Sequence, residues 1–234
     1  MLPIRNYGAR EADGESKPGP VPGSGPSISA PWENPKLTVE TVDNHIYFYS
    51  NVNSDRGLAL MRQVRETDNR LRSEQVSRDT AVSVPIWLHV HSYGGDLMTA
   101  FSLADQLASI RTPIYSVVEG CVASAGTLIT MPCRKRYITP NSFFLIHQLS
   151  SVLWGKYEEN KDGMHLDDML MDRLVKFYTE NSRNRLDEKK IRDLLQRDSW
   201  FDSEQCVQLG FVDAVKLPSG LLIGTASPTS SNEA

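Results

Sequence analysis

Four groups of residues in this chain have the types and the order that acyl-transfer chemistry needs. In Glu119-Gly-Cys-Val-Ala-Ser-Ala-Gly126, Ser124 stands between two alanines where a polar loop gives way to Leu128, Ile129 and Met131. A helix starting at that corner would offer unpaired N–H groups and the positive end of its dipole to a developing negative charge. The same pattern also suits a serine that merely caps a tight strand-to-helix junction. Upstream, His89-Val-His-Ser-Tyr-Gly-Gly-Asp96 ends an apolar run in Gly94 and Gly95. Paired glycines let backbone approach another group closely and present N–H donors to it, although alone such a pair is a turn. Downstream, His147 closes the run Phe143-Phe-Leu-Ile-His147-Gln148. Strand ends of open α/β sheets are where sites gather, although many strand-end histidines are structural. Asp193, Asp198 and Asp202 follow as carboxylates able to orient an imidazole. Serine, imidazole, carboxylate and backbone donors together are the parts of nucleophilic hydrolysis.

The elements that would have to position these groups are legible from periodicity. Residues 45–50 (HIYFYS) read as a strand, 56–73 as a helix and 84–90 (VPIWLHV) as a buried strand. A helix is expected over 97–110, a strand over 114–118, a helix from about Ser124 and a strand over 143–147. Strands alternating with helices imply crossover connections and a parallel sheet covered on its faces. Over 166–181, Leu166, Met169, Leu170, Leu174, Val175 and Tyr178 recur at helical spacing, with Asp167, Asp168, Asp172 and Arg173 between them. That stripe fits either ordinary core or a subunit contact. A further helix is expected over 185–196, and residues 200–212 close the domain. Asp202 reads as the cap of a helix containing Glu204 and Gln205.

Composition bounds the rest. The chain has 234 residues, of which 40% are hydrophobic and 23% charged, a globular balance sufficient for one sizeable domain. A net charge of −4 with dispersed Lys and Arg gives no footprint for nucleic acid. The one dense basic run, Arg134-Lys135-Arg136, is expected on a solvated turn. Cys121, Cys133 and Cys206 are too irregularly spaced for a metal site or a disulfide framework and point to a reducing compartment. The start shows no basic-then-apolar signal pattern, and no apolar run reaches a membrane-spanning length. A cytoplasmic protein without membrane partners is the expectation. Residues 1–36, crowded with Gly, Pro and Ser, read as a flexible arm and a candidate propeptide; 37–217 as the folded domain; and 218–234 as a disordered tail.

Taken in order, HSYGGD, GCVASAG, PNSFFLIHQ and QRDSWFDSEQCVQLGFVD resemble the proteolytic subunit of the Clp protease, a serine peptidase family with a crotonase-like fold. The resemblance runs from about residue 40 to 216. It implies an α/β fold of repeated β-β-α units with a parallel sheet and a protruding handle helix. It further implies Ser124 as nucleophile, His147 as general base, Asp198 as the orienting carboxylate, and the N–H groups of Gly95 and Ala125 as the oxyanion hole. The segments at Gly94, Asp96 and Leu97 and at Leu149, Ser150 and Ser151 match the edges on which the family lays its substrate backbone as an added strand. A homo-oligomer of stacked heptameric rings follows from the same resemblance, as do unfolded-protein or peptide substrates and an ATP-consuming AAA+ unfoldase as partner. The chain itself would need no metal or organic cofactor. Tyr93 and Leu149 stand where the family usually has proline, Ala125 where it has methionine, and the N-terminal arm where it has a pore-lining hairpin. A capsid maturation protease of phage type and a catalytically silent ring subunit are the alternatives.

Overall fold

Residues 39–79 and 83–224 are described by the computed structural model, so the arm expected over 1–36 and the three residues 80–82 lie outside it. Val39–Val42 (β1) and His45–Tyr49 (β2) form an edge hairpin turning at Asp43, whose φ is +52°. Ser54–Ser77 (α1) follows, capped by the Asn53 side chain, which accepts the Arg56 N–H. Ile86–Ser92 (β3) leads to Leu97–Ala108 (α2), where the Asp96 carboxylate accepts the Thr99 N–H, and then to Ile114–Ala123 (β4). A single 3-10 turn, Ser124–Gly126, and the four-residue Thr127–Thr130 (α3) come next. Lys135–Ile138 (β5), Phe143–Ile146 (β6), Tyr157–Asn181 (α4) and Glu188–Leu195 (α5) continue the chain. Ser199–Phe201 (β7), Ser203–Gln208 (α6), Ala214–Lys216 (β8) and Leu222–Ile223 (β9) complete it.

The strands form one mixed sheet in the order β1-β2-β3-β4-β5-β8-β9, parallel from β2 to β8 and antiparallel at both edges. This is the α/β architecture expected from strand and helix alternation. β4 is longer than its predicted span and serves two partners in turn. Residues 115–118 pair with β5, and residues 121–123 pair with β6. Between the two lies Gly120 at φ +72°, where an added Cβ would fall 2.9 Å from His91 Nδ1. β6 in turn pairs antiparallel with β7.

The core forms where α1 and α2 cover one face of the sheet. Ile46, Phe48, Ile86, Leu88 and Val90 are buried with Leu60, Met61 and Val64 of α1 and Leu103 and Leu107 of α2. Alternation along the strands sends His45, Tyr47, Trp87, His89, Tyr115 and Tyr137 to the other face, where their rings stack or, at Tyr115, meet edge to face. There Glu119 accepts hydrogen bonds from Tyr49 and His89, and His89 contacts His45 at 2.9 Å.

Several expectations need correction. The basic run is not a solvated turn: Lys135 opens β5, and Arg136 is buried between β4 and β8. Its backbone N–H donates to Asp213 at 2.9 Å and its guanidinium to the Asn181 carbonyl at 2.5 Å, which makes burial of the charge tolerable. The tail does not begin at residue 218. A turn through Gly220, at φ +82°, returns the chain so that β9 pairs with β8; residues beyond 224 lie outside the description. The helix expected from Ser124 amounts to one 3-10 turn and α3, too short for a macrodipole to build up. The long helix begins at Tyr157, ahead of the predicted 166, and its apolar stripe divides. Leu174, Val175 and Tyr178 are core, whereas Leu166 and Met169 are 41% and 57% exposed. All three cysteines are buried, and burial pushes their thiols up, that of Cys133 to about 12. No helix among the described residues is long and apolar enough to cross a membrane.

Candidate active site

β4 delivers the chain to Ser124, and the corner it turns there is a strained one. Ser124 has φ +53°, a left-handed conformation that a non-glycine residue holds only when its surroundings enforce it. Nor is Ser124 a helix cap. The N-cap position of the 3-10 turn falls on Ala123, and no side-chain cap hydrogen bond is made. The small neighbours have a steric reason. A Cβ on Gly94 would sit 2.7 Å from the Ser124 Cβ and 3.2 Å from the Ala125 nitrogen, and one on Gly126 would sit 2.9 Å from the Ser92 Cβ.

Gly94 and Gly95 reach this corner because a β-bridge holds the loop after β3. Val52 pairs with Gly95, donating its N–H to the Gly94 carbonyl at 2.7 Å and accepting the Asp96 N–H at 2.8 Å. Both bonds of the bridge bypass the N–H of Gly95 itself. Gly94 and Gly95 have φ of +97° and +142°, in the glycine-favouring region, and a Cβ on Gly95 would run into the Val52 carbonyl. The loop therefore lays Gly94 against the backbone of Ser124 and Ala125.

His147 follows directly on β6, which pairs with β4 at Ala123↔Leu145. It is half-buried and lines a cavity of about 120 Å³ together with Ser124, Gly95, Ala125, Leu97, Leu149, Ser150, Leu174 and Tyr178. Nucleophile, base and both oxyanion candidates thus share one concavity, as do three of the residues matched to substrate binding. Asp198 stands outside that lining, directly before β7. The antiparallel register ends at the pair Ile146 and Ser199, and His147 and Asp198 are the residues next beyond that pair on the two strands. Asp198 is exposed, and among the described residues no hydrogen bond joins the His147 ring to Asp198 or to Ser124. Catalytic hydrogen bonds are commonly loose without substrate.

The other candidates fall elsewhere. Asp193 lies exposed on α5. Asp202 caps α6, accepting the Gln205 N–H at 2.8 Å while Gln205 returns a bond to the Asp202 N–H. Asp96 caps α2 and Leu97 is its first residue, so Leu97 offers the cavity a side chain rather than a strand edge. Residues 147–154 carry no regular structure, and the Leu149 N–H points to Met171 Sδ at 3.1 Å. Ser151 donates to Asp167 of α4.

Two residues at the corner escape a sequence reading. Thr127 Oγ1 donates to the Ser124 carbonyl at 2.6 Å and lies 2.6 Å from the Tyr178 hydroxyl. Both side chains are buried, and burial raises the Tyr178 phenol above its ordinary value despite the bond to Thr127. Tyr178 had counted only as one apolar position of a helical stripe, and a periodicity gives no sign of what a hydroxyl at its rim will touch.

Comparison with known proteins agrees with this arrangement. The model of the Clp protease family matches residues 40–218. The ATP-dependent Clp protease proteolytic subunit 2 of Treponema denticola is 28% identical over 155 residues, 63% of this chain and 76% of that protein. The ATP-dependent Clp protease proteolytic subunit of Streptococcus agalactiae is 27% identical over 173 residues, 71% of this chain and 87% of that one. In structure, a variant of ClpP1 from Listeria monocytogenes superposes with a TM-score of 0.63 at 19% identity, covering 74% of this chain and 91% of its own, which establishes the shared fold. A family match spanning most of the chain, on a fold that gathers Ser124, His147 and the Gly94-Gly95 loop around one cavity, places this protein in the Clp protease family.

Proposed function

We propose that the chain is a serine endopeptidase that hydrolyses unfolded proteins or peptides inside a ring-shaped chamber. The observation that carries the reading is Ser124 at φ +53°, packed on Gly94 and sharing a cavity with His147. Ser124 Oγ attacks the peptide carbonyl while His147 takes its proton and later returns it to the leaving amine. In this reading Asp198, directly before β7, orients the imidazole, fixes its tautomer and stabilises its cation. The N–H groups of Gly95 and Ala125 receive the tetrahedral oxyanion. The cavity is lined by Leu97, Leu149, Leu174 and the Tyr178 ring, so it accepts an apolar side chain from the residue being cleaved.

The irregular, unpaired residues 147–154 supply backbone for an extended substrate, with Leu149, Ser150 and Ser151 on one side and the Gly94-Gly95-Asp96 loop on the other. Hydrolysis by this machinery consumes no cofactor. ATP enters through a partner unfoldase, in keeping with the names of the Treponema and Streptococcus relatives. Assembly into stacked heptameric rings is supported by α4, which has no buried residue before Leu174 and whose approach exposes Val152 and Trp154.

Fluorophosphonate labelling of the purified protein, with oligomer mass measured on the same samples, tests the proposal. Labelling should vanish in Ser124→Ala and fall by about a hundredfold or more in Asp198→Ala, on a large assembly. A large assembly whose Ser124 never labels would identify a silent ring subunit instead.

A further inference from the structure

The left-handed backbone of Ser124 raises a question that the triad does not answer, namely what enforces it. A non-glycine residue holds this conformation only where surrounding contacts over-determine it. The only oxygen of the Ser124 main chain is its carbonyl, and the Thr127 side chain reaches it at 2.6 Å. A carbonyl can only accept, so the single hydroxyl proton of Thr127 goes to it. The Tyr178 hydroxyl, 2.6 Å from the same Thr127 oxygen, must then be the donor in their contact. The result is a directed chain: Tyr178 O–H to Thr127 O–H to Ser124 C=O. Thr127 is fully buried and Tyr178 is 1% exposed, so no water competes for either bond.

What the chain holds is more than the nucleophile. The peptide unit is planar, so the Ser124 carbonyl and the Ala125 N–H are opposite ends of one rigid plate. Fixing the carbonyl fixes the direction of the N–H. We infer that Tyr178 and Thr127 are positioning residues that set the Ser124-Ala125 peptide plane and thereby aim the Ala125 N–H into the oxyanion hole. This inference rests on the proposed role of Ser124 as nucleophile. It also gives a reason for a phenol rather than a phenylalanine at a core position of α4, where the ring alone would fill the space beside Leu174 and Val175.

The test compares Tyr178→Phe, Thr127→Val and Thr127→Ser with the unaltered chain in its native assembly. The readouts are the fluorophosphonate labelling rate, kcat and KM on a short fluorogenic peptide with an apolar residue at the cleaved bond, affinity for a peptide boronate, and melting temperature. Tyr178→Phe should lower the labelling rate and kcat by about tenfold, with KM within about twofold, because the lost interaction matters in the transition state. Boronate affinity should fall by the same factor, since its tetrahedral adduct uses the oxyanion donors. Thr127→Val should lose at least as much, Thr127→Ser should stay within about threefold of the parent, and Tyr178→Phe added to Thr127→Val should cost nothing further. If Tyr178→Phe does not fold, the contrast between the two Thr127 variants carries the same test. Normal labelling and boronate affinity in folded Tyr178→Phe would overturn the inference, as would a raised KM with unchanged kcat. Labelling that is absent, or that survives Ser124→Ala, would remove the nucleophile assignment itself, and this inference with it; that outcome is distinct from Ser124-dependent labelling that ignores Tyr178.

Discussion

Two glycines with similar backbones show how much of this site is steric. Gly94 and Gly220 both have positive φ, at +97° and +82°, so alanine at either position strains the chain by roughly 1–2 kcal/mol. At Gly220 an added Cβ meets nothing within 4 Å, whereas at Gly94 it falls 2.7 Å from the Ser124 Cβ and 2.9 Å from the Ala123 carbonyl. Gly220→Ala should therefore lower the melting temperature slightly and leave fluorophosphonate labelling unchanged. Gly94→Ala should slow labelling by about a hundredfold, since it displaces Ser124, the proposed nucleophile. Equal labelling by the two variants would show that the close approach of the loop to Ser124 is dispensable. The sequence displayed this glycine pair and its neighbour Ser124 plainly. It hid Val52, whose backbone pins the loop from a distant strand end, because a main-chain bridge leaves no mark on side-chain pattern.

At the scale of elements, the sheet face opposite the core carries a hydrogen-bonded row from Tyr49 through Glu119 and His89 to His45. Burial alone would raise the Glu119 carboxyl, but the bonds from His89 and Tyr49 outweigh it and hold the group below its ordinary value. His45 is lowered, first by burial and then by the neighbouring His89. Both shifts favour the deprotonated form in the folded chain. The His45 contribution is complete above about pH 6.5 and is lost as pH falls below that; the Glu119 contribution is complete above about pH 4.3 and is lost on further acidification. Thermal unfolding followed from pH 7.5 down to about 2.5 should show stability declining on the acid side, and Glu119→Gln should flatten the part of that decline below about pH 4.3. A melting temperature independent of pH over this range would contradict the assignment. The strands that build this face are legible in HIYFYS and VPIWLHV, the second only as a buried strand. Its polar pairing was not legible, because it joins residues of three strands whose register only the fold supplies. β5 was missed for a related reason: Lys135 and Arg136 disguise a strand whose buried charge is neutralised by Asp213, far along the chain.

For the whole molecule, the decisive surface is the exposed first half of α4 together with the segment that leads into it. Trp154 is 99% exposed, Val152 94% and Met169 57%, more apolar area than an isolated chain usefully presents to water. The double variant Trp154→Ser with Met169→Glu should reduce the sedimenting mass of the proposed assembly while each chain keeps its fold, since neither side chain belongs to the core; unchanged mass would assign the subunit contacts of that assembly elsewhere. The apolar stripe was visible in the sequence, but its division into a core half and an exposed half depends on where α4 leaves the sheet, which periodicity does not encode. The double pairing of β4 has a consequence of another kind. One strand is registered against β5 in its first half and β6 in its second, and Ser124, the proposed nucleophile, directly follows its end. Side chains alternate faces along it, so deleting a single residue there would turn the remainder inside out and unseat Ser124. A residue gained or lost in the unpaired stretch ahead of α4, by contrast, shifts no ladder.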